Sequence, residues 1–175
     1  MGLFDMFRKA AKPAAPAKPA PVSAAWKSGV VCSPVKGSAL QLAETSDPVF
    51  SSEAMGKGIA VSPAEEMAYA PVSGTVSAAM LHAVGLVADD GAEVLVHVGI
   101  DTVEMNGNGL TCLVGQGDHV DAGAPIVSFS KAKIAEAGKQ DTVFVVVTNS
   151  DDYAQVAPVP DGPVDAGAVV ITLTK

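Results

Sequence analysis

"HAVGLVADDGAEVLVHVGI", residues 82–100, decides the fold. In its second half, Val94, Val96, Val98 and Ile100 fall on one face, while Glu93, Leu95, His97 and Gly99 fall on the other. This period of two is that of a half-buried strand. "HAVGLV" (82–87) reads as a second strand, and "ADDG" between the two is a turn signal, so the pair forms an antiparallel hairpin. A four-residue loop at 88–91 sets Val87 opposite Ala92 and His82 directly opposite His97. A two-residue turn at Asp90-Gly91 makes the histidines diagonal neighbours on one face. In both registers the imidazoles meet, with Cβ atoms roughly 5–8 Å apart.

Outward from the hairpin, the 175-residue chain is 49% hydrophobic but only 5% aromatic, and Val, Ala and Gly alternate with frequent turn residues. That composition favours many short strands. Two phrases recur: "SPVKG" (33–37) as "APVSG" (70–74), and "HVDAGAPIV" (119–127) as "PVDAGAVVI" (163–171). Repeated strand–turn units predict two similar halves around one core. The expected fold is all-β: an antiparallel β-sandwich or flattened barrel with a duplicated motif and at most short helices. One such helix is expected in "SKAKIAEAGK" (130–139), with Ser130 as N-cap and Gly138 as stop.

The expected organisation is a basic amphipathic tail at 1–11, a Pro/Ala-rich linker at 12–27 and a folded domain at 28–175. In the tail, Leu3, Phe4, Phe7 and Ala10 share a helical face beside Arg8 and Lys9, a pattern suited to weak contact with an anionic membrane. Net charge is -8, yet residues 1–27 carry five basic side chains against Asp5 alone, so the remainder carries -12. An acidic body excludes nucleic acid and suits a basic protein partner. Arg8 is the only arginine, so the body cannot build a bidentate clamp for a phosphate ester. With no leader pattern, no apolar run near ~20 residues and two unclustered cysteines, Cys32 and Cys112, the expected location is cytoplasmic.

Three chemistries want two facing histidines. Zinc needs three or four ligands, and no HxH, HExxH or CxxC supplies the rest, so His82 and His97 could ligate zinc only with a partner's help. A serine hydrolase needs a nucleophile elbow, which is missing. A histidine that carries a transferred group, supported by a second histidine, remains, and Gly99, Gly107 and Gly109 would leave room for a partner to approach. His119 lies in an expected turn, and Glu65-Glu66, Asp89-Asp90 and Asp151-Asp152 read as solvated charges.

At this point the residues become specific. "GAEVLVHVGIDTVEMNGNGL" (91–110) resembles the active-histidine signature of the glucose-type enzyme IIA family of the bacterial phosphoenolpyruvate-dependent sugar phosphotransferase system. "DPVF" (47–50), "GKGIAVSP" (56–63), "APVSGTV" (70–76), "HAVGL" (82–86) and "GDHVDAGAPIV" (117–127) are similar to the family's landmarks in order. The resemblance implies a duplicated antiparallel sandwich without a cofactor. It implies that His97 accepts a phosphoryl group from the histidine-containing phosphocarrier protein, with His82 as its stabiliser, and that the group passes to a sugar-specific enzyme IIB domain. It places Asp47, Val49, Phe50 and Asp101 at the docking rim, and it extends to transporters or kinases as regulated partners. Met80 stands where the family usually has threonine. A biotinyl or lipoyl carrier module would need a displayed lysine, and a zinc peptidase of related architecture an acidic ligand at Leu86; neither is present.

Overall fold

The hairpin at 82–100 forms the middle of the protein's large sheet. The structure, a computed structural model, describes residues 18–175; the expected tail and the first part of the expected linker lie outside the described residues. Ala83–Ala88 pairs antiparallel with Glu93–Val98, with Ala83 opposite His97 and Leu86 opposite Val94. This register falls between the two expected ones, because the loop has three residues. Ala88 N–H donates to the Ala92 carbonyl at 2.8 Å, and Gly91, at φ +92, closes the turn by donating to the Ala88 carbonyl at 2.9 Å. A type I turn followed by a left-handed glycine adds one residue to the two-residue connection.

Eight strands build that sheet in the order Gly162–Val164, Gly37–Gln41, Lys57–Pro63, Val143–Val147, Glu93–Val98, Ala83–Ala88, Gly74–Ala79, His119–Val120. Two three-stranded sheets complete the fold: Val30–Cys32, Val169–Thr174, Gln155–Pro158, and Met67–Tyr69, Pro125–Phe129, Leu110–Cys112. One core draws Val31 and Ile171 from the first small sheet, Val127 and Phe129 from the second, and Ile59, Val96 and Val145 from the large one. This is the antiparallel sandwich the alternation predicted. Val94, Val96 and Val98 are all at most 2% exposed, each contributing about 1.5–3 kcal/mol of apolar burial.

Each repeated phrase makes equivalent contacts. Ala70 and Ala124 exchange a backbone bond at 2.7 Å, as Ser33 and Ala168 do at 2.7 Å. Residues 22–25, inside the stretch expected as linker, cross both repeated turns in extended form. Val22 N–H donates to the Gly123 carbonyl at 3.0 Å and Ala25 N–H to the Gly167 carbonyl at 2.9 Å. A methyl added at either glycine would lie within 2.2 Å of a carbonyl oxygen of this strap, Val22's or Ser23's. Trp26 then packs against the core.

The helices are short. α1, Pro48–Ser51, starts at Asp47, whose carboxylate accepts from Val49 N–H at 2.8 Å and Phe50 N–H at 3.2 Å. α2, Lys131–Glu136, is capped by Ser130 and followed by Gly138 at φ +71, matching the expected cap and stop. No helix among the described residues is long and apolar enough to cross a membrane.

Candidate functional site

Alternation that buries three valines on the core side leaves His97 on the opposite face of the large sheet. A second, smaller apolar cluster covers that face: Leu42, Phe50, Ala60, Phe144 and Val146, with Leu40, Leu95 and Ile100 at its margin. Ile100 therefore does not share the valines' face as the alternation suggested. The strand ends at Val98, and Gly99, at φ +79, reverses the chain.

His97 lies between two cross-strand partners, Ala83 and Phe144. Small Ala83 leaves space for the ring, and Phe144 forms its apolar flank. Phe50 stacks on Phe144 at 4.0 Å and meets His97 at 5.2 Å, tilted by 59°. Phe50 is only 5% exposed and lies against the histidine, beneath the docking rim expected for it from sequence. Its burial follows from α1: the Asp47 cap turns the helix so that Phe50 faces the sheet while Val49, 46% exposed, faces solvent.

His82 reaches His97 by a route the hairpin register does not provide. In the observed register, a strand extended to residue 82 would turn that side chain toward the core. Instead Leu81-His82 forms a tight connection between Gly74–Ala79 and Ala83–Ala88, with Met80 N–H donating to the Ala83 carbonyl at 2.8 Å. The His82 carbonyl accepts from Val98 N–H at 2.8 Å, which ties the turn to the His97 strand. The two rings meet edge-on, centroids 5.0 Å apart at 77°. The glycines expected to clear space over the imidazole serve elsewhere: the nearest atoms to an added methyl belong to Thr102 at Gly99, Leu81 at Gly107 and Lys133 at Gly109.

Burial sets the chemistry of the pair. Desolvation, and then the neighbouring His82, pull the His97 pKa down from 6.5 to about 4, against smaller upward effects of the Gly99 carbonyl, Asp47 and Asp101. Desolvation also lowers His82. Both rings are therefore neutral at pH 7. Nδ1 of His97 is buried without a hydrogen-bond partner. A neutral imidazole keeps its proton on one nitrogen, and burial of Nδ1 leaves Nε2 as the nitrogen that can meet an incoming group.

Around the pair, Asp47 and exposed Asp101 supply negative charge. Exposed Val49, Met80, Leu81 and Val103 supply apolar surface on the same segments. Leu81 and Val103 carry no signal in the sequence, because a lone apolar residue in a turn has no period, whereas Met80 stands out only as the residue in place of the family's usual threonine. Among the described residues no group of three or more His, Cys, Asp or Glu is placed to hold a metal. Two histidines fall short of the three or four ligands zinc takes. His119 is exposed and pairs with Asp89 at 3.0 Å.

Comparison with known proteins agrees with this geometry. Residues 29–153 match the sequence model of the family described as phosphoenolpyruvate-dependent sugar phosphotransferase system, EIIA 1. A β-glucoside-specific EIIBCA component of Dickeya chrysanthemi is 46% identical over 143 residues, covering 81% of this chain and 23% of that protein. A glucose-specific EIIA component of Staphylococcus aureus is 36% identical over 128 residues, covering 72% of this chain and 77% of that protein. The chain thus spans less than a quarter of the EIIBCA relative. Among solved structures, the glucose permease IIA of Mycoplasma capricolum superposes with a TM-score of 0.71 at 31% identity, over 81% of this chain and 93% of that one.

Proposed function

The chain belongs to the EIIA 1 family of the phosphoenolpyruvate-dependent sugar phosphotransferase system, and from that premise we propose that it is a phosphoryl carrier whose acceptor atom is Nε2 of His97. The observation that carries this reading is the geometry of the pair, with Nδ1 of His97 buried and a second imidazole 5.0 Å away.

The donor is the histidine-containing phosphocarrier protein. The Nε2 lone pair attacks phosphorus in line with the donor's N–P bond, a new N–P bond forms, and the electron pair of the broken bond returns to the donor imidazole. The proton on Nδ1 stays in place. His82 donates a hydrogen bond to the equatorial oxygens as charge spreads over them, a task the body must perform without arginine. In the onward step a cysteine thiolate of an enzyme IIB domain attacks the phosphorus in line, an S–P bond forms, and the electron pair of the broken N–P bond returns to Nε2 of His97.

Docking uses the apolar residues Val49, Met80, Leu81 and Val103 with Asp47 and Asp101 at their edge, a surface suited to a partner that is apolar at its centre and basic at its rim. Transporters or kinases that answer to the phosphorylation state would use the same surface.

Reconstitution tests the reading. With phosphoenolpyruvate, enzyme I and the phosphocarrier, labelled phosphate should appear on this chain and leave it when a cognate IIB domain is added. A chain that takes no label under those conditions is not a carrier of this kind.

A further inference from the structure

Asp47 and Asp101 reach one cleft from distant parts of the chain. It holds about 390 Å³ and is lined by Ser46 and Asp47, by Ile100 and Asp101, and by Lys139 and Gln140. Asp47 uses Oδ1 for the α1 cap, accepting from both Val49 N–H and Phe50 N–H, which leaves Oδ2 for an outside donor. Asp101 is exposed, and its side chain does not cap the 3-10 turn Thr102–Met105 that follows it. Lys139, the cation of the cleft, is already bonded to Glu104 of that turn. Two carboxylates with acceptor capacity to spare therefore line a shared opening.

Gln140 ties both walls together. Its carbonyl accepts from Ile100 N–H at 2.9 Å, one residue before Asp101. Its side-chain Nε2 donates to Ser46 Oγ at 3.0 Å, one residue before Asp47. Among the described residues, this is the one hydrogen bond from residues 45–52 to a distant part of the chain. Phe50 moors the far end of that segment by stacking on Phe144, and the Ser46 bond fixes its near end. On the other wall, Asp101 sits at φ +57, a conformation that a residue other than glycine keeps only when its surroundings impose it. Both of its neighbours are tied: Ile100 to Gln140, and Thr102, through its hydroxyl, to the Val98 carbonyl.

We propose that Gln140 is a positioning residue for docking: with its carbonyl on Ile100 and its amide on Ser46, it holds the Asp47 and Asp101 carboxylates at one spacing across the cleft, so that they meet the basic rim of the phosphocarrier as a unit. Charges set in place before contact spare the complex the ordering that loose ones would need. Gln140 makes these hydrogen bonds and none to either histidine, so its contribution falls on binding and not on transfer.

This inference rests on the carrier reading, with Asp47 and Asp101 at the docking rim. Initial rates of phosphorylation of the full chain, measured against phosphocarrier concentration, separate KM from kcat. Gln140→Ala and Ser46→Ala should each raise KM about fivefold, the effect of losing one hydrogen bond, with kcat and melting curve those of the parent. The double variant should be no worse than either single one, and Ser46→Thr, which keeps the hydroxyl, should match the parent. A second readout, the coupling of the two carboxylates, is one that a merely structural bond would not move. In the parent, Asp47→Asn, where asparagine still caps α1, and Asp101→Asn should together raise KM by less than the product of their separate effects. In Gln140→Ala the two effects should multiply. A parental KM in Gln140→Ala, a change in kcat in its place, Ser46→Thr behaving like Ser46→Ala, or coupling that survives in Gln140→Ala overturns this inference and leaves the carrier reading standing. A parent chain that takes no phosphate overturns the carrier reading, and this inference with it.

Discussion

Acid should destabilise this protein through His97 above all, and the size of that effect follows from where the ring is buried. Phe50, Phe144 and Ala83 enclose its ring, with His82 at the edge. Desolvation and then the neighbouring imidazole lower its pKa from 6.5 to about 4. The unfolded chain takes up this proton near pH 6.5 and the folded chain only near pH 4. Between those values the unfolded state binds more protons, so folding loses stability as pH falls. The loss is nil above the unfolded value and reaches about 3 kcal/mol below both, because each pH step of one between the two values costs roughly 1.36 kcal/mol. By pH 5, about 2 kcal/mol should be lost relative to pH 8. Urea unfolding of the parent and of His97→Gln at both pH values isolates the effect. The variant should lose about 2 kcal/mol less than the parent on acidification. Equal losses would refute the claim that burial holds His97 neutral in mild acid.

His82→Gln should still accept phosphate, since an amide can donate from a similar position. Its onward transfer to IIB should slow by about 10² to 10³, the effect of losing roughly 2–4 kcal/mol of charge stabilisation; transfer at the parent rate would remove His82 from the reaction. Phe50→Ala should lower stability by about 3 kcal/mol and let water reach His97, so that the ring titrates closer to its ordinary value. A fully stable variant with weakened partner binding alone would return Phe50 to the docking surface. Deletion of residues 1–26 should cost about 3 kcal/mol more than deletion of 1–21, from two strap hydrogen bonds and the packing of Trp26. Equal melting curves would mean that the strap only lies on the surface.

The parts of this fold that sequence discloses are those with a local period or a local turn. Alternation in "EVLVHVGI" placed His97 off the core face, "ADDG" marked the hairpin, and the Ser130 cap with Gly138 delimited α2. Repetition of "VDAG" announced the duplication. What stayed hidden depends on one residue more or less, or on contacts across the chain. The three-residue loop at 89–91 offset the register by one, and the histidines meet because a separate turn at Leu81-His82 brings them together. Nothing near Phe50 reveals Phe144, 94 positions away, as the ring it stacks on. Pro and Ala at 12–25 have no period, so the strap over Gly123 and Gly167 carried no signal. Thr102 looks like any surface threonine until Val98 and Gly99 are seen to close over it.

The central claim, that this chain carries phosphate on Nε2 of His97, meets its most direct test in the phosphorylated protein itself. Phosphorus–nitrogen correlation NMR on ¹⁵N-histidine-labelled chain, phosphorylated through the phosphocarrier, identifies the bonded nitrogen. One phosphoramidate is expected, at Nε2 of His97, and none in His97→Ala. A phosphoryl group on His82, on His119 or on Nδ1 of His97, or one that persists in His97→Ala, would contradict it.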